Sequence, residues 1–134
     1  MPVIDASVAA AAMIVTDTFR LTARTWLGNA RRSGLRNYAP TLLLAELGSA
    51  VARASGRAEN GTDAIAQVRR SGLVFIPVSE ALATRAGEIA ATRGVKGCDA
   101  IYVALAEQLG EPLVTFDGEQ LMRAAGLIAV ERPG

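Results

Sequence analysis

The chain has 134 residues, 51% hydrophobic and 20% charged, with a net charge of +1. That is one domain's worth of sequence, able to bury a core without staples and too weakly charged to hold a nucleic acid by bulk electrostatics alone. There is no histidine and only one cysteine, Cys98, which excludes Ser-His-Asp triads, His-liganded zinc, a His general base, cysteine zinc clusters and any intrachain disulfide.

Pro2-Val3-Ile4 reads as a minimal first strand, and Asp5-Ala6-Ser7 turns it into an alanine-rich helix running to about Val15. The run Ala6 to Val15 is too short to span a bilayer and has no basic residue before it, so it is not read as a signal sequence and a cytoplasmic protein is expected. Asp5 then lies at the carboxyl end of a strand, where it is also a favoured helix N-cap that Ser7 can assist. Thr18 or Asp17 caps a second helix with Phe19, Ala23, Trp26, Leu27 and Ala30 on one stripe, ended by Ser33-Gly34. Trp26 on that stripe is core or interface, and Arg20, Arg24, Arg31, Arg32 and Arg36 form a solvated polar face that could also contact phosphates.

Asn37 to Ala39 makes a short strand, and Pro40-Thr41 opens a helix rich in leucine. Glu46 is the only charge between Arg36 and Arg53, and its helical neighbours are Leu42, Leu43, Ser49 and Ala50. A carboxylate in such surroundings either reaches water at the rim or needs a compensating charge, because burying it alone costs several kcal/mol. Gly56 to Gly61 reads as a loop, Thr62-Asp63 as the cap of a short helix, Leu73 to Ile76 as a strand, and Ser79 as the cap of a helix that stops at Gly94.

Asp99 opens the apolar helix Ala100 to Leu109, which Gly110 stops. Leu113 to Phe116 is a buried parallel strand, and Asp117 closes it. A short helix from Glu119 to Ala125 and a strand from Leu127 to Val130 complete the chain. The alternation β-α-α-β-α-α-β-α-α-β-α-β predicts a three-layer α/β/α domain over residues 1–134, with an open, mainly parallel sheet covered by helices on both faces.

In that topology a helix preceding a parallel strand starts beside the strand's carboxyl end, so Asp99 and Asp117 meet there, at the edge where open α/β sheets keep their ligands. Asp5 falls at the same edge, and Glu46 adds a stranded charge. None of the four has a basic residue next to it in sequence. Clustered carboxylates without basic partners repel one another unless a cation neutralises them, and oxygen-only ligands favour Mg²⁺ or Mn²⁺. Such a site can activate water and stabilise the leaving oxygen of a phosphodiester.

VIDASV at the start, APTLLLAELGSAV in the first half and CDAIYVALAEQLGEPLVTFD near the end, in this order and spacing, resemble the PIN-domain family. Within it they are similar to the VapC-type toxin ribonucleases of bacterial toxin-antitoxin systems. The resemblance implies that Asp5, Glu46, Asp99 and Asp117 are an acidic quartet holding the metal. It implies that Thr115 and Ser7 are supporting hydroxyls, and that Glu46 either binds the ion or orders water. It further implies RNA as substrate, a small antitoxin protein as partner, and a homodimer. Many relatives continue with a basic residue after the last aspartate, whereas this chain has Phe116-Asp117-Gly118-Glu119, so Glu119 is either a further acidic contributor or a helix-start charge. Two other readings stay open: a PIN-like domain that only binds partners, and a receiver-type phosphoacceptor domain. The second lacks a phosphorylatable Asp after the third strand, where Ile76-Pro77-Val78 stands.

Overall fold

The computed structural model describes residues 1–134. The elements are β1 (Val3–Ile4), α1 (Ala6–Met13), α2 (Arg20–Arg32), β2 (Tyr38–Pro40), α3 (Leu42–Ser55), α4 (Ala58–Arg69), β3 (Val74–Ile76), α5 (Glu80–Arg93), α6 (Gly97–Leu109), β4 (Leu113–Val114), α7 (Gly118–Ala124) and β5 (Val130–Glu131). Their order is the one expected from the alternation of short apolar runs with helical periods. All five strands are parallel, in the order β3-β2-β1-β4-β5. The chain winds from β1 outward to β3, then crosses back and winds outward again through β4 to β5. Right-handed crossovers therefore place α1 to α4 on one face and α5 to α7 on the other. The contacts agree: α1 packs on α2 and α3, α3 on α4, and α5 on α6.

Winding reverses between β1 and β4, so the crevice at their carboxyl ends is the expected ligand position. Asp5 follows β1 there and Asp117 follows β4. The order also argues against the receiver-type reading, because those domains run 2-1-3-4-5 with β3 inside the sheet, whereas β3 is an edge strand here.

The core is the two inner faces of the sheet and the helices over them. Val3, Leu43, Leu47, Tyr102, Val103, Leu105, Leu113 and Val114 are all fully buried. Trp26 packs against this core rather than standing free.

Several boundaries differ from the sequence reading: β4 is only Leu113–Val114, β5 is Val130–Glu131 rather than Leu127 to Val130, and α6 begins at Gly97. Helix α4 begins at Ala58, not after Thr62-Asp63, so Gly56 to Gly61 is not a loop: only Gly56 adopts the left-handed conformation (φ 71°) as the C-cap of α3. Gly61 serves packing instead of turning, since a Cβ there would lie 2.6 Å from the Gly48 carbonyl oxygen where α3 and α4 meet. Helix α1 stops at Met13, with Ile14 already extended. Asp17 does not cap α2 directly. It accepts the Phe19 N–H at 2.8 Å, and Phe19 occupies the cap position without a side-chain bond.

Candidate active site at the carboxyl edge

Asp5 leaves β1 in an extended conformation and caps α1, its Oδ2 accepting the Ser7 N–H at 3.0 Å. The same oxygen lies 3.2 Å from Thr115 Oγ1. The capping and active-site readings of Asp5 are therefore compatible: Oδ2 is held by the fold, while Oδ1 has no protein partner and is not sealed away. Asp5 is only 6% exposed, and burial raises its pKa above the ordinary range despite bonds from Ser7 and Thr115 that lower it.

Asp117 repeats the design one strand over. It caps α7, with Oδ1 accepting the N–H groups of Glu119 and Gln120 at 2.9 and 3.3 Å, and Oδ2 stays unengaged. Glu46 projects from the second turn of α3, where it is half-buried. It is neither isolated nor simply at a wet rim, for its Oε1 accepts the Tyr102 hydroxyl at 2.6 Å. Burial raises its pKa more than that bond lowers it.

Asp99 stands in the first turn of α6 and its carboxyl accepts no hydrogen bond. Burial pushes its pKa up to about 6, and repulsion from Asp5, Asp117 and Glu46 adds to the rise. Lys96 is the one cation that opposes it. Asp99 thus feels the charges of the other three sequence-identified carboxylates, and none of the four is in an ion pair. Glu119 stays outside the set. It is exposed in the first turn of α7 and lies 3.9 Å from Arg123, as a helix-start charge does.

A hydroxyl network ties the edge together. Thr115 is fully buried, and its single hydroxyl proton faces two acceptors, Gln120 Oε1 at 2.9 Å and Asp5 Oδ2 at 3.2 Å. Its oxygen accepts the Asp117 N–H at 3.0 Å and lies 3.3 Å from Ser7 Oγ, which in turn accepts the Phe116 N–H at 3.1 Å. Gln120, 1% exposed, donates from Nε2 to the Asp99 carbonyl at 3.1 Å. One short network thus sets the relative positions of β1, β4, α6 and α7.

Sequence reasoning missed Tyr102 and Gln120. Each follows a quartet aspartate by three positions, Tyr102 after Asp99 and Gln120 after Asp117, which on a helix is the same face. That spacing was the available signal.

The donor set suits a small hard cation. Each carboxylate offers at least one oxygen that the protein leaves free, the donors are all oxygen, and the mutual repulsion calls for positive charge. No three acidic groups close tightly enough to hold an ion unaided.

Comparison with known proteins bears on the fold and the family. No curated protein sequence matches the chain. Among solved structures it is similar to VapC20 of Mycobacterium tuberculosis, a sarcin-ricin loop cleaving toxin, at TM-score 0.77 and 22% identity, covering 94% of this chain and 95% of that one. It is also similar to VapBC2 from Rickettsia felis bound to a promoter DNA fragment, at TM-score 0.73 and 17% identity over 98% of both chains. DNA-bound VapBC from Salmonella typhimurium gives TM-score 0.72 and 19% identity, again over 98% of both. At these identities the likeness is one of fold. The family model described as PIN domain matches residues 3–127: the chain belongs to the PIN domain family.

Proposed function

We propose that the protein is a metal-dependent endoribonuclease and the toxin of a toxin-antitoxin pair. The observation that carries this reading is the set Asp5, Glu46, Asp99 and Asp117: the charges of the other three raise the pKa of Asp99, and none of the four is in an ion pair. A bound Mg²⁺ or Mn²⁺ supplies the positive charge that offsets their repulsion and the Lewis acidity that activates water toward a phosphodiester. Asp5, Asp99 and Asp117 hold the ion, and Glu46 either joins them or orders water.

The protein's own contribution is orientation. Ser7 and Thr115 fix Asp5 through Oδ2 and leave Oδ1 without a protein partner. Tyr102 fixes Glu46 by one short bond, and Gln120 holds the start of α6, and with it Asp99, against α7. Fixed ligands need no reorganisation when the substrate arrives.

RNA is the substrate of this reading, and an antitoxin is the partner; two neighbours are VapBC proteins with promoter DNA. A cleft of about 710 Å³ between α1, α2 and α4 supports the partner. Its wall carries Leu27 and Leu73 and its rim Arg24, Arg31, Arg36 and Arg70, with no acidic residue, so it fits a segment with apolar and acidic side chains. A homodimer is part of the reading, supported by the exposed apolar Val15, Leu21 and Leu35. No helix is long and apolar enough to cross a membrane, and the proposed location is the cytoplasm.

The test is an RNA cleavage assay with single-stranded and structured substrates, run in Mg²⁺, in Mn²⁺ and in chelator. Metal-dependent turnover that disappears in Asp99→Asn is expected. Turnover in chelator, or none with any metal, would count against the enzyme.

A further inference from the structure

Beside the last carboxylate lies an aromatic pair that the reaction described above leaves unused. Phe116 sits between Thr115 and Asp117. Its N–H is fixed by Ser7 Oγ at 3.1 Å and its ring is 9% exposed. Phe19 stacks on it with ring centroids 4.6 Å apart and planes 8° from parallel, yet remains 36% exposed. The backbone of Phe19 is itself pinned by Asp17. The guanidinium of Arg132, just beyond β5, lies 4.9 Å from the Phe19 centroid and 5.8 Å from that of Phe116.

Arg132 pairs with no carboxylate, although Asp117 is next to the ring it touches. Arg20, adjacent to Phe19, has its Nε shut away without a partner. Three separate parts of the chain, the start of α2, the segment just after β4 and the tail after β5, thus bring an open ring, a fixed ring and cationic charge together beside the residue that precedes Asp117.

A ring needed only for packing is buried on both faces, and a surface arginine commonly pairs with a carboxylate. Neither holds here. An exposed ring held flat by a second ring, with a free guanidinium at its side, matches what an unpaired nucleotide offers: a π-face and a phosphate.

We infer that Phe19, backed by Phe116 and flanked by Arg132, is a subsite for one unpaired nucleotide of the RNA, whose base stacks on Phe19 while Arg132 holds the neighbouring phosphate. The inference rests on the ribonuclease reading and adds to it a requirement for single-stranded or looped substrate, because a base inside a duplex cannot present its face. Stacking of this kind tolerates any base.

The test is equilibrium binding of a labelled single-stranded RNA oligonucleotide, and of the same sequence as a blunt duplex, to Asp99→Asn protein used as a non-cleaving background. Adding Phe19→Leu keeps apolar bulk but removes the ring. It should weaken single-strand binding about tenfold and leave duplex binding unchanged, and Phe19→Trp should restore the parental affinity. Arg132→Gln should weaken binding and lower the slope of log K against log salt by about 0.7, the value for one phosphate contact on a single strand. With Asp99 intact, Phe19→Leu should raise KM and leave kcat unchanged.

Equal affinity of Phe19→Leu and its parent for the single strand, or equal losses on both substrates, would overturn the subsite. Should Phe19→Leu fail to fold, Arg132→Gln carries the test, and an unchanged salt slope overturns it. Phe19-dependent single-strand binding without cleavage by the wild type supports the subsite and overturns the nuclease, whereas cleavage indifferent to Phe19 and Arg132 does the reverse.

Discussion

Two acidic residues on the same helix meet opposite treatment. Glu107, near the end of α6, receives a two-pronged contact from Arg85, with Nε and Nη2 at 2.7 and 2.9 Å, and its pKa falls below the ordinary carboxylate range. Asp99, two turns earlier, accepts nothing, and its pKa rises to about 6. Burial is the first cause at Asp99 and other carboxylates the next; at Glu107 the arginine comes first. Of the chain's 14 basic residues, Arg85 serves the α5–α6 surface, where it also pairs with Glu88 at 3.3 Å. None is spent on Asp5, Glu46, Asp99 or Asp117. Charge is neutralised where structure alone is served and left unsatisfied at the ligand edge, the pattern of a site completed by something bound.

Cleavage gives the sharpest way to break the contrast. Asp99→Asn should lower kcat by about 100-fold or more, above the range for losing an outer-sphere partner, while Glu107→Gln should leave it unchanged. A comparable loss in both variants would make the difference between the two positions meaningless for function.

Tyr102→Phe should cost less, about 10-fold in kcat, because Glu46 keeps its place and loses only the bond that orients it. Single-turnover rates with near-wild-type melting separate this from a packing defect. A wild-type rate would remove Tyr102 from the set of positioning residues.

Stability against pH should show opposite slopes. In chelator the raised Asp99 pKa costs stability above the unfolded value near 3.8, fully so above about 6, and that cost disappears as pH falls through this window. Asp99→Asn should therefore be more stable than wild type at pH 7, by about 1–2 kcal/mol once solvent screening of a half-exposed carboxyl is allowed for, and the advantage should vanish near pH 4. Glu107 has the other sign: its lowered pKa contributes stability above 4.5 that is lost as pH falls through the folded value. Glu107→Gln should lower the melting midpoint only slightly, since an exposed ion pair contributes little, and should flatten the acid limb of the curve. Denaturant melts from pH 3.5 to 8 check both signs.

The order of elements was legible because most strands are short apolar runs with Pro or Asp at an end, and several helices have a recognisable stop such as Gly56, Gly94 or Gly110. The four carboxylates were legible because their environments are local: Asp5 and Asp117 abut strands, Asp99 begins a helix and Glu46 stands among leucines. Tyr102 hid in the apolar helix Ala100 to Leu109, where a tyrosine reads as core. It is fully buried, and only the meeting of α3 and α6 gives its hydroxyl a destination. Gln120 hid in a polar turn, where nothing marks a glutamine for burial. Gly61 looked like a loop residue because its role, the close approach of α4 to Gly48, exists only in tertiary structure.

The central claim is that the free oxygens of Asp5, Glu46, Asp99 and Asp117 share one divalent cation. The most direct measurement is the melting midpoint of wild type and Asp99→Asn near neutral pH, first in chelator and then across a Mg²⁺ titration. Asp99→Asn should melt higher in chelator, and the order should reverse as Mg²⁺ rises, because wild type gains binding free energy that the variant largely lacks. If Asp99→Asn melts lower in chelator and neither protein responds to Mg²⁺ or Mn²⁺, Asp99 is a helix-start charge and no shared cation site exists.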